Sequence, residues 1–238
     1  MNENWLDRVL PIYKDEGIEK LKQSRVVIMG LGGVGSAAAE AICRSGVGNI
    51  MIVDSDEIDI TNINRQLIAN RNNVGNDKVF ETEKRLHMIN PQCNITPIKE
   101  FYLPENSDFV FNYKADYIID AIDTVTAKLH LAEVCKRNNI PIISCLGTGN
   151  RLDPSKLKVG YISDTVGSGC PFARVMRREL KKRGIVNQTV VYSTEIPYNT
   201  TVGDGEHGRH SPCSTAFVPP CAGFLLASVV IRNLLDIK

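Results

Sequence analysis

No apolar run in the chain approaches the roughly 18 to 20 residues that span a bilayer. The amino terminus also lacks a basic-then-apolar segment ending in small residues. These absences predict a cytoplasmic protein with no membrane partner. C-x-x-C pairs are missing too: the seven cysteines stand singly at 43, 93, 135, 145, 170, 213 and 221. An odd number, so spaced, in a chain with no export signal argues against a disulfide framework and against a four-cysteine zinc site. Internal repeats and low-complexity tracts are absent. So is any excess of one charge, since the formal net charge is +1 and the total predicts no partner.

What is present is enough for one substantial core, in 238 residues of which 43% are apolar. Strand-like runs alternate with helical ones: RVVIMG at 25–30, a small-residue helix near 34–45, NIMIVD at 49–54, a helix near 78–90, ADYIIDAID from 115, a helix near 126–138 and IPIISCLG from 140. Alternation of this kind predicts an α/β, Rossmann-like, mostly parallel sheet with helices on both faces. Beyond residue 150 the pattern changes to a mixed carboxyl-terminal extension. It holds a charged helix, CPFARVMRRELKKRG, a strand-like QTVVYSTE, a polar stretch with the character of a mobile loop or lid, and a final apolar helix near 221–236. The chain is expected to be a single domain, its nucleotide-binding part about 1–150 and its extension about 151–238.

In GLGGVG, Gly30, Gly32 and Gly35 occupy the positions for a tight turn, close approach to phosphate and close helix packing, with Gly33 between them. The helix that follows offers free N–H groups and the positive end of its dipole. Asp54, at the end of the second strand, is placed to accept hydrogen bonds from a ribose hydroxyl pair. NAD and ATP explain this loop equally well. The next segment, DSDEIDITNINRQLIANRNNVGNDKV, separates them: cleaving ATP at its α-phosphate brings an anion toward a polyanion and needs cations and polar donors, whereas a hydride carrier does not. Asn62, Arg65 and Lys78 fall at the carboxyl edge of the sheet, Arg65 as a rigid fork and Lys78 as a mobile point charge. Asp123 ends the DAID run and reads as a Mg²⁺ ligand, since a bare carboxylate would repel a triphosphate. The plain alternative makes Arg65 and Lys78 solvated surface charges and Asp123 a helix cap.

GLGGVG, D-x-D (Asp54 and Asp56), TNINRQ, VGNDK, INP at 89–91 and DAID, in this order, resemble the ubiquitin-activating-enzyme-like adenylating family, which includes the bacterial ThiF, MoeB and HesA proteins. The likeness runs from about residue 5 to 150. It implies that Gly30 to Gly35, with Asp54 and Asp56, bind ATP, that Asn62, Arg65 and Lys78 contact its phosphates, and that Asp123 holds Mg²⁺. It further implies a homodimer in which Arg8, otherwise a surface charge, reaches the partner's active site. Proteins of the family adenylate a carboxylate and release pyrophosphate.

The charged helix places Arg174, Arg177, Arg178 and Lys181 at i, i+3, i+4, i+7, with Lys182 and Arg183 beside them and Ala173, Met176 and Leu180 facing the other way. Such a stripe can follow a nucleic-acid backbone or be a solvated face. This run, VVYSTEIP and the ending STAFVPPCAGFLLASVVIRNLL resemble one branch of the family, the tRNA threonylcarbamoyladenosine dehydratases. That branch implies tRNA as partner, adenylation of the threonylcarbamoyladenosine carboxylate, and ring closure by the carbamoyl group with loss of AMP. Activation of the carboxyl terminus of a ubiquitin-like sulfur carrier is the alternative. Some members of the branch are associated with cysteine-desulfurase or sulfur-acceptor partners. Cys213, in the polar loop near His207, Arg209 and His210, is therefore a candidate nucleophile, more simply an incidental thiol. Cys145 reads as buried core.

Overall fold

In the computed structural model, which describes residues 5–199, 201–202 and 211–237, the strands β1 (Arg25–Met29), β2 (Asn49–Val53), β3 (Asn94–Ile98), β4 (Tyr117–Asp120), β5 (Ile142–Cys145), β6 (Leu157–Tyr161) and β7 (Thr189–Ser193) form one sheet. Its order is β3-β2-β1-β4-β5-β7-β6. Every pairing is parallel except β6 with β7, so the carboxyl-terminal extension closes the sheet with one antiparallel edge strand. A two-stranded ribbon, β8 (Thr201–Val202) with β9 (Ser211–Pro212), lies apart from it. The mixed extension expected from the sequence is present. The strand order reverses between β1 and β4, and the carboxyl edge beside that reversal is where open α/β sheets bind ligands.

β1 and β4 are buried on both faces, which is why they read as unbroken apolar runs rather than alternating ones. One face is covered by α1 (Leu10–Gln23), α2 (Gly35–Arg44), α3 (Lys78–Ile89) and α7 (Val218–Leu234). The other is covered by α4 (Asp108–Asn112), α5 (Val125–Asn138) and α6 (Pro171–Lys182). Small residues bring α2 and α7 close together. A Cβ on Gly223 would lie 2.2 Å from the Val34 carbonyl oxygen and 2.9 Å from the Ala37 Cβ, so only glycine allows this crossing. The contact pulls the start of α7, with Pro219, against Gly33 of the glycine turn.

Several boundaries differ from those read in the sequence. α7 begins at Val218 rather than near 221, because Pro219 and Pro220 occupy the first turn, where no backbone N–H is required. α1 and β3 have no counterpart in the alternation. α1 is broken at Lys14 (φ 60°) and is only weakly amphipathic, and β3 carries Pro97, which an edge strand tolerates. Of the polar stretch read as a loop or lid, residues 203–210 with His207, Arg209 and His210 lie outside the described residues, and the segments on either side of them pair as β8 and β9. Among the described residues no helix is long and apolar enough to cross a membrane.

Candidate active site

β1 ends in a turn that only glycine can make. Gly30 has φ +87°, and a Cβ on Gly35 would stand 1.7 Å from the Gly30 carbonyl oxygen. Gly32 has nothing within 4 Å of the Cβ position, so the backbone there is open to an approaching group. The turn is tied to the second strand: the Gly30 N–H donates to the Val53 carbonyl (2.8 Å) and the Leu31 N–H to Asp54 Oδ2 (2.6 Å). Asp54 also accepts from the Asp56 N–H at 2.9 Å. Burial pushes the Asp54 carboxyl above its ordinary range, against the pull of the Lys78 charge and the backbone donors.

Lys78 opens α3 and is buried. Its Nζ lies 2.7 Å from Asp56 Oδ2 and 3.9 Å from Asp54 Oδ1. A solvated surface lysine is thereby excluded. Asn62 is buried too, and its Oδ1 accepts the Asp59 N–H as half of a capping box, leaving the amide nitrogen without a partner among the described residues. Arg65 is half-buried behind the glycine turn, its Nη1 donating to the Thr61 carbonyl and to Asn64 Oδ1, both at 2.9 Å.

These groups surround one cavity of about 680 Å³. Gly30, Gly32, Gly33, Asp54, Asp56, Asn62, Arg65, Lys78 and Asp123 all line it; Gly35 sits beneath the turn. Asp123 is exposed, three residues beyond β4. Of the four acids on the wall, Asp54 and Asp56 face Lys78, while Asp123 and Glu100 have no basic partner among the described residues. No cluster of three or more His, Cys, Asp or Glu able to hold a metal occurs among the described residues.

Other residues named from the sequence lie elsewhere. Arg8 is exposed in the turn before α1 and does not line this chain's own cavity. On α6 the apolar side is as expected, with Ala173, Met176 and Leu180 buried. The basic side is partly engaged: Arg177 donates to Thr165 Oγ1 (2.7 Å), while Arg178, Lys182 and Arg183 all contact Glu179. Those three cations pull the Glu179 carboxyl down to about 2. Arg174 and Lys181 are exposed and have no acidic partner among the described residues. Cys213 is half-buried beside the cavity, while its neighbours Pro212 and Ser214 line it. Cys145 is core, as read, but also forms part of the wall; burial pushes its thiol up to about 12.

The cavity also contains groups for which no role is read from the sequence. Gln66, the last residue of TNINRQ, is buried with its Oε1 unpartnered among the described residues. Phe101 and Tyr102 come from the connection after β3, Thr148 from that after β5 and Phe172 from the first turn of α6. Tyr102 is fixed by a 2.9 Å contact between its hydroxyl and His130 Nδ1.

A glycine turn between strand and helix, an acid ending the second strand, and a ring of polar donors at the sheet's carboxyl edge define a nucleotide-binding α/β protein of the Rossmann-like class. The model of the ThiF family matches residues 6–238, and the chain belongs to that family. It is similar to the tRNA threonylcarbamoyladenosine dehydratase of Bacillus subtilis (strain 168), 42% identical over 231 residues that cover 92% of this chain and 90% of that one. The protein of the same name from Escherichia coli (strain K12) is 35% identical over 245 residues, 94% and 91% of the two chains. A solved structure of E. coli tRNA N6-threonylcarbamoyladenosine dehydratase, TcdA, in complex with ATP superposes with a TM-score of 0.85 at 30% identity, covering 96% of this chain and 93% of that one.

Proposed function

We propose that this chain is an ATP-dependent tRNA threonylcarbamoyladenosine dehydratase. The observation that carries the reading is a single cavity running from the glycine turn to Phe172 and Ser214, so that the nucleotide machinery and the carboxyl-terminal third meet in one space. The whole-length likeness to relatives of that name includes this third, where a substrate would be selected.

ATP binds with its phosphates over Gly32 and Gly33 and its ribose toward Asp54. The buried Lys78 and the Arg65 guanidinium carry the charge that lets a carboxylate approach the α-phosphorus, and Asn62 adds a neutral donor. The substrate carboxylate attacks there, pyrophosphate departs, and the neighbouring carbamoyl group closes on the activated carbonyl to expel AMP. Because the closure is intramolecular, orientation and charge stabilisation suffice, and no catalytic triad is required.

Asp123 fits Mg²⁺. It is a cavity carboxylate with no basic partner among the described residues, and Mg²⁺ takes one or two carboxylates together with phosphate oxygens rather than an all-protein cage. The ion would supply charge neutralisation on the triphosphate. Arg8, exposed and not part of its own cavity's lining, suits a homodimer in which it completes the partner's site. Arg174 and Lys181 are the α6 cations most available to the tRNA backbone, with Arg177 engaged by Thr165 and Arg178 and Lys182 by Glu179. With tRNA as substrate, the reaction belongs in the cytoplasm.

Pyrophosphate exchange tests the activation step. Labelled pyrophosphate should enter ATP only when tRNA carrying threonylcarbamoyladenosine is supplied. Exchange supported equally by unmodified tRNA would contradict the reading.

A further inference from the structure

The connection after β5 holds a buried cation that the mechanism above does not use. Arg151 is 3% exposed and forms no ion pair among the described residues. Its Nη1 donates to the carbonyl oxygens of Gly147 (2.6 Å) and Gly149 (3.2 Å), and its Nε to that of Glu195 (3.3 Å). Nη2 is buried with no acceptor among the described residues.

Gly147, Thr148 and Gly149 line the cavity and Arg151 does not, so the guanidinium lies behind the loop. In a trans peptide the N–H points opposite to the preceding carbonyl. The Gly147 carbonyl faces Arg151, and the Thr148 N–H is therefore directed away from it, to the cavity side. Among the described residues no group accepts from the N–H of Gly147, Thr148 or Gly149. The loop is held at both ends. The Leu146 N–H donates to the Val191 carbonyl at 2.9 Å, the Asn150 N–H to the Cys213 carbonyl at 2.7 Å, and the Cys213 N–H to Asn150 Oδ1 at 2.6 Å. Successive free N–H groups backed by an uncompensated positive charge form an anion-binding concavity, and one fixed in advance.

We propose that the Gly147 to Gly149 loop, with Arg151 as its positioning residue, stabilises the oxyanion of ring closure; this rests on the reaction given under Proposed function. In that step a nucleophilic atom of the carbamoyl group bonds to the acyl carbon and negative charge develops on the carbonyl oxygen. The carbon–oxygen bond to AMP then breaks, AMP leaves with the electron pair, and the proton of the carbamoyl nitrogen passes to solvent. Charge builds on the carbonyl oxygen only here. During attack on phosphorus the carboxylate loses charge instead, so donors aimed at this oxygen accelerate closure and not activation.

The test compares Arg151→Met, Arg151→Lys and Thr148→Pro in the full chain, with ATP and tRNA carrying threonylcarbamoyladenosine. Pyrophosphate exchange reads activation, and the mass of the digested nucleoside reads closure. Closure should fall about 100-fold in Arg151→Met and Thr148→Pro, while exchange stays within about threefold. Arg151→Lys, which keeps a donor and a charge, should recover part of the loss. Equal losses in both readouts would mean a merely structural role, and unchanged closure would remove the role altogether; either overturns the proposal. If Arg151→Met does not fold, Arg151→Lys and Thr148→Pro decide by the same split. A wild-type chain that neither exchanges nor converts this tRNA overturns the reaction and the proposal together, whereas a working wild type with unaffected variants overturns the proposal alone.

Discussion

Replacing Lys128 by Met should destabilise the protein more than any exposed substitution at the site. Lys128, on α5, and Asp120, at the end of β4, are both fully buried, with Nζ 2.9 Å from Oδ2. Nζ also donates to the Asp120 backbone carbonyl at 3.2 Å. Among the described residues Oδ2 receives no well-directed hydrogen bond, so charge attraction holds the pair, and the one other donor to the carboxylate is the Ile122 N–H on Oδ1 at 3.2 Å. Removing the ammonium leaves a buried carboxylate uncompensated, at a cost of about 3–5 kcal/mol. With an unfolding entropy of about 2.1 cal/mol/K per residue, 238 residues give about 0.5 kcal/mol/K, so Tm should drop by about 6–10 °C. Differential scanning calorimetry reads this directly. The double variant Asp120→Asn/Lys128→Met, which removes both charges, should recover most of the loss. A single variant melting within about 2 °C of wild type, or a double variant no better than the single, would refute the reasoning.

Three further outcomes follow from the geometry. Gly35→Ala should raise the Kd for ATP at least about tenfold by forcing the turn open, measurable by calorimetric titration; unchanged affinity would remove the turn from the phosphate site. Asp123→Ala should abolish exchange with little change in Tm because the side chain is exposed, whereas Lys78→Ala should abolish exchange and also lower Tm, since Asp54 and Asp56 lose their partner. Mixing inactive Arg8→Ala and Asp123→Ala chains should restore about a quarter of wild-type activity if subunits exchange freely, because half the dimers then hold one complete site; no restoration would argue against a shared site.

Acid should weaken the fold through Glu40. Burial raises its pKa, but Arg85 and Arg44 outweigh burial, and the carboxyl is held below its ordinary value. The stabilisation from this lowered pKa is present above the unfolded pKa near 4.5 and is lost as pH falls through the folded value. Glu40→Gln should lower stability at pH 7 by about 1–3 kcal/mol and flatten the acid limb of stability against pH, as followed by urea denaturation. An acid limb of unchanged slope would contradict the assignment.

The parallel sheet was legible because its central strands are buried on both faces and so appear as plain apolar runs, and because a glycine turn has no cheaper explanation between a strand and a helix. That Lys78 and Asp123 come to one cavity was legible through their place in motifs. Their states were not: only the fold shows that Lys78 is buried between two acids while Asp123 has no basic partner among the described residues. Arg151 sits in GTGNRLDP, which carries no motif signal, and its burial follows from the segments after β7 and before α7 meeting it. Thr148 and Phe172 enter the cavity from segments far apart in the chain, so spacing could not join them to the glycine turn. On α6 the charge run was plain, but Glu179 and Thr165, which engage four of its cations, could not be weighed without the helix in place.

The most direct measurement is the mass of the modified nucleoside released from tRNA carrying threonylcarbamoyladenosine after incubation with this protein, ATP and Mg²⁺. A nucleoside lighter by one water, formed only when ATP is present, is the expected result. A nucleoside of unchanged mass from a protein that binds both ATP and the tRNA would contradict the account.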